Sequence, residues 1–143
     1  MKKLLIYITT LIALLAGCSQ SASTSPKDIA KVAYEWEKAR FDRDYKMQQE
    51  LIYKQGSYEV DKDAEKKDSG LKYGNMSFEV YYDEKNELYF IFTEFKNPQG
   101  ENTVKDGLAF RKKADEWKID QDKEINPDEI KKKIEREACI NCN

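Results

Sequence analysis

The 143-residue sequence contains no histidine, and it has only three cysteines, three prolines and six glycines. Without imidazole there is no Ser-His or Cys-His nucleophile pair and no His-ligated catalytic zinc, which removes the commonest hydrolase and metalloenzyme designs. An excess of charge of either sign is also missing: 25 Lys and Arg stand against 27 Asp and Glu, a formal net of -2. A dedicated nucleic-acid binder needs a basic footprint to neutralise phosphates, so no nucleic-acid partner is expected. The length leaves room for one domain. No cofactor is implied by any motif, and the composition points to a binding module rather than an enzyme.

What is present begins with an address. Lys2 and Lys3 form a charged leader, and Leu4 to Ala16 form an apolar stretch interrupted by Thr9 and Thr10, the pattern of a secretory signal. The stretch is shorter than the roughly 20 apolar residues a membrane-spanning helix needs. It ends in Leu15-Ala16-Gly17-Cys18, which resembles the lipobox of bacterial lipoproteins. The resemblance implies diacylglycerol on the Cys18 thiol and cleavage just before it, and two acyl chains would hold the product firmly. Residues 1–17 are then a signal peptide, 18–25 a lipidated cysteine and a Ser-rich flexible tether, and 26–143 the folded domain. The expected location is the extracytoplasmic face of the cell membrane. Many Lys, few Arg and no acidic retention signal at Ser19-Gln20 point to a Gram-positive source.

Ser25-Pro26-Lys27-Asp28 reads as a helix start, with Ser25 as cap, Pro26 in the first position and Asp28 returning the bond. Ile29, Val32, Ala33, Trp36 and Ala39 continue at helical spacing, and the charged run Arg40 to Asp44 marks a bend or stop. A second helical piece carries Tyr45, Met47, Leu51 and Ile52 and ends near Gly56. Residues 61–70 alternate charge and read as a solvated loop or a frayed helical turn. A calcium loop at Asp61, Asp63 and Glu65 would lack its glycine and its terminal Glu. From Met76 the period changes to two: four strands are expected within 76–82, 88–95, 103–111 and 116–120, with turns at 83–86 and 97–100. Asn126, Pro127 and Glu129 then open a C-terminal helix over about 127–139, with Ile130, Ile134 and Ala138 on one side.

The expectation is therefore an α+β domain with N-terminal helices on a curved antiparallel sheet of about four strands, plus a short C-terminal helix. The segment Leu108 to Ile119, an apolar strand, a charged turn and a Trp-Lys-Ile strand, resembles the closing hairpin of nuclear transport factor 2-like (cystatin-like) domains, and the opening amphipathic helix fits the same group. The resemblance covers residues 26 to 125. It implies a conical pocket between sheet and helices, in a group that holds both lipid-anchored proteins and ketosteroid isomerase-like enzymes.

Candidate site residues follow from the aromatic strands. The second strand is apolar on both faces: Leu88, Phe90 and Phe92 on one, Tyr89, Ile91 and Phe95 on the other. One face must serve the core, and the second, joined by Tyr81, is open to a partner subunit in a homodimer or to the C-terminal helix. Glu79, Tyr81, Tyr89, Ile91, Glu94 and Phe95 are the candidate pocket or interface, for a small ligand or an envelope protein. As an alternative, Glu79 or Glu94 buried among aromatics would have a raised pKa and serve as a base. Lipidation of Cys18 leaves Cys139 and Cys142 as a Cys-x-x-Cys pair, suited to a local disulfide outside the cytoplasm. A redox or metal role for that pair is the further alternative; zinc would need two more ligands.

Overall fold

The computed structural model describes residues 24–56 and 60–143, so the leader, Cys18 and most of the tether lie outside the described residues. The elements run α1 (Pro26–Asp42), α2 (Tyr45–Leu51), a 3-10 turn (Tyr73–Asn75), β1 (Met76–Asp83), β2 (Leu88–Lys96), β3 (Thr103–Lys113), β4 (Glu116–Ile119), α3 (Pro127–Lys133) and β5 (Arg136–Ile140). The strands form one antiparallel sheet in the order β4-β3-β2-β1-β5. None of the described helices is long and apolar enough to cross a membrane.

Helix α1 starts as its sequence dictates. The Asp28 backbone N–H donates to Ser25 Oγ at 3.2 Å and the Ser25 N–H donates back to Asp28 Oδ2 at 3.3 Å, satisfying two otherwise orphaned donors. It stops where Arg43 turns left-handed, at φ 60 and ψ 38. The buried face carries Ile29, Ala30, Ala33, Trp36 and Ala39, laid over Phe78, Val80, Ile91, Phe110 and Ile119 of the sheet. Just before the helix, Thr24 is fastened to the sheet: Trp117 Nε1 donates to its hydroxyl at 2.9 Å and the Tyr89 hydroxyl to its carbonyl at 3.4 Å.

The sheet has five strands rather than four, because the expected C-terminal helix is split. It ends at Lys133; Ile134 is already extended, and residues 136–140 pair with the outer edge of β1, Ala138 opposite Val80 and Ile140 opposite Phe78. Ala138 and Ile140 add apolar contacts to the α1 core, which a helix continued through 139 would have pointed elsewhere. Helix α2 is also shorter than expected, because Ile52 leaves it to form a parallel bridge with Ile119.

The helices do not share one face. On the side of the sheet opposite α1, Ile130 joins Tyr81, Leu88, Phe90 and Ala109 in a second cluster, with Phe92, Ile125 and Ile134 at its margin. Of the two coverings the sequence left open for this face of β2, a partner subunit or the C-terminal helix, the chain's own α3 is the one that packs there. Three layers result: α1, the sheet and α3.

Candidate functional site

The six expected pocket residues do not converge, because alternation along β2 sends them to opposite faces. Tyr89, Ile91 and Phe95 lie in the α1 core. Tyr81 belongs to the α3 side, as does Glu79, whose Cα partner is Phe92. Glu94 is exposed and ion-paired with Lys105 at 3.1 Å.

On this second side the sheet, α3 and β5 enclose a cleft of about 660 Å³, lined among others by Glu79, Phe92, Lys105, Lys131, Arg136 and the two cysteines. Its polar centre is Glu79, with a side chain 28% exposed. Arg136 Nη1 lies 3.2 Å from Oε1, Lys131 Nζ binds Oε2, and the Tyr81 hydroxyl donates to Oε2 at 3.4 Å. Lys131 also stands 4.9 Å from the Phe92 ring centre, a cation–π contact. Burial pushes the Glu79 carboxyl up, but the Lys131 and Arg136 charges outweigh it and hold the group below its usual range. The expected raised-pKa base is therefore not found at Glu79: the ion pairs keep it a carboxylate. The Tyr81 phenol is pushed up, first by burial and then by the Glu79 charge.

The Cys-x-x-Cys pair does not follow a helix end, as the sequence suggested; it closes the edge strand β5. Cys139 and Cys142 are joined by a disulfide, with Cα atoms 5.7 Å apart. Cys139 is the direct ladder partner of Glu79, so its side chain points to the cleft. Between the cysteines Asn141 adopts φ 54, and its amide donates to Tyr73 O at 3.0 Å and Met76 O at 3.1 Å. That side chain fastens the end of β5 to the start of β1.

Two features were missed in the sequence. Lys131 and Arg136 both fall within the single helix expected over 127–139, and their meeting over Glu79 requires the α3–β5 break. The other is Glu37, 0% exposed on α1. Arg40 bridges it, at 2.7 Å, to Asp106 of β3, at 2.8 Å. A charged residue at a core position gives no periodic signal, and here it ties α1 to the sheet.

No family model, curated protein or solved structure matches this chain.

Proposed function

We propose that this protein is a lipid-anchored, extracytoplasmic binding module, tethered through Cys18, that holds a polypeptide segment of another envelope protein in the cleft between α3 and β5. The observation that carries the binding site is the composition of that cleft. It is open to solvent, with Lys105, Lys131 and Arg136 set against Glu79 and Glu94 around the half-buried Phe92 ring. Mixed charge around one aromatic ring suits a peptide better than an apolar small molecule, which binds in closed apolar cavities. The Leu15-Ala16-Gly17-Cys18 tetrad after an apolar leader supports the anchor. An N-terminal helix over an antiparallel meander is in keeping with a nuclear transport factor 2-like relationship.

Two measurements test this. Cys18→Ala should move the chain from the membrane fraction to the soluble one; retention in the membrane overturns the anchor. A photo-crosslinking residue at Lys105 should capture a defined envelope protein, and the capture should disappear when Lys131→Glu is added. Equal capture from the outer face of α1, at Lys31, would sink the cleft as the binding site.

A further inference from the structure

The Cys139–Cys142 disulfide forms one rim of the cleft, and its position is unlike that of a structural staple. A bridge across so few residues removes little conformational freedom from the unfolded chain, so it adds little to global stability. Both cysteines are exposed, Cys139 on the edge strand β5 and Cys142 just past its end, and neither belongs to the two apolar clusters. Opening the bond therefore disturbs neither core.

The surroundings favour exchange. Directly across the ladder from Cys139 is Glu79, whose carboxylate is shared by Lys131 and Arg136, so two cations and one anion line the same cleft as the disulfide. Neighbouring cations stabilise a thiolate and make the cysteine a better leaving group. Cys142 Sγ lies 3.6 Å from Ile140 O and 3.9 Å from Phe78 O, acceptors ready for the thiol proton once the bond has opened.

We propose that Cys139–Cys142 is a thiol–disulfide exchange site that oxidises a dithiol on the polypeptide held in the cleft; the placement of that partner rests on the binding reading above. A partner thiolate attacks Cys139 Sγ, the Cys139–Cys142 bond breaks, and Cys142 leaves as a thiolate that takes up a proton. The partner's second thiolate then attacks its own sulfur in the mixed disulfide and displaces Cys139. Two electrons pass from partner to protein: the partner leaves as a disulfide and both cysteines are reduced, one turnover per oxidised chain.

The test uses the full oxidised chain under native conditions with dithiothreitol, counting free thiols by alkylation and mass while near-ultraviolet circular dichroism monitors the aromatic core. Reduction within minutes with an unchanged core is the expected result. Survival of the disulfide until the chain is denatured overturns the proposal. In a second arm, Cys142→Ser is mixed with glutathione disulfide, and the pH dependence of Cys139 alkylation is followed. A mixed disulfide at Cys139 is expected, with a thiol midpoint below the ordinary value of about 8.5 that rises in Arg136→Ala. An ordinary midpoint in both chains overturns the proposal. Dithiothreitol needs no cleft binding, so failure of exchange and loss of the Lys105 cross-link are separable results.

Discussion

Asp42 and Ser69 are joined twice: the Ser69 backbone N–H donates to Asp42 Oδ1 at 2.8 Å and its hydroxyl donates to the same oxygen at 2.6 Å. Lys38 holds the other carboxylate oxygen at 2.5 Å, and the Lys67 N–H donates to the Asp42 carbonyl at 2.8 Å. A loop with almost nothing apolar to bury is thereby fixed to the end of α1. Hydrogen bonds to a charged group contribute about 1.5–3 kcal/mol. Asp42→Ala should lower stability by about 2–3 kcal/mol in urea unfolding and open the loop to trypsin at Lys62, Lys66 and Lys67. Unchanged cleavage would show that the loop is held by other means.

Acid should weaken the fold through the same kind of group. Burial alone would raise the carboxyls of Asp42, Asp44 and Glu79. Lys38 and Ser69 at the first, Lys66 and the Met47 N–H at the second, and Lys131 and Arg136 at the third outweigh it and lower each one. A depressed native pKa means stability that is present above the unfolded value, about 3.9–4.3, and lost as pH falls through the native one. The urea midpoint should hold steady from neutrality down to about pH 5 and drop below about pH 4.

Alkali acts at the other end of the scale. Burial first, and then the Glu137 charge, push the Tyr89 phenol up to about 12. A raised native pKa gives stability that is complete below the unfolded value of about 10 and lost as pH rises toward 12. In an ultraviolet titration of tyrosinate, Tyr89→Phe should remove a late-ionising phenol and leave the earlier steps in place.

Thr93 is 2% exposed, and its hydroxyl has no hydrogen-bond partner among the described residues. Burying a hydroxyl unpaired costs about 1–3 kcal/mol, and valine keeps the β-branched shape that suits the strand. Thr93→Val should raise stability by about 1 kcal/mol; a loss in the urea midpoint would mean that the hydroxyl is satisfied in solution.

Arg43 is exposed and holds its left-handed conformation without the freedom of glycine. Arg43→Gly should stabilise the α1 end by about 0.5–1 kcal/mol, read as an upward shift in thermal midpoint.

The legible parts of this fold are those decided locally. Ser25 and Asp28 announce the start of α1, the Arg40–Asp44 charges its end, and alternation from Met76 onward gives β1 to β4. The C-terminal segment was not decided locally. Ile130, Ile134 and Ala138 satisfy helical spacing, while Ala138 and Ile140 satisfy strand spacing. The free edge of β1, which no single segment reveals, makes the choice. The site inherits that difficulty. Its acidic member, Glu79, was named from the sequence, but its cations come from either side of the α3–β5 break. A register shift between Val80 and Tyr81 sets which β5 residues face it, so parity could not be counted along the strand.

The grip of Trp117 and Tyr89 on Thr24 has a consequence for reach. Thr24 sits at the end of the strands that carries Tyr82, Tyr89 and Trp117, on the α1 face. The cleft lies toward the other end of those strands, near Ser77, Glu94 and Lys105, on the opposite face. Five residues lie between Cys18 and Thr24, so the span from one to the other is at most about 20 Å even fully extended. An anchor at Cys18 would keep the Trp117 corner close to the bilayer and turn the cleft away from it.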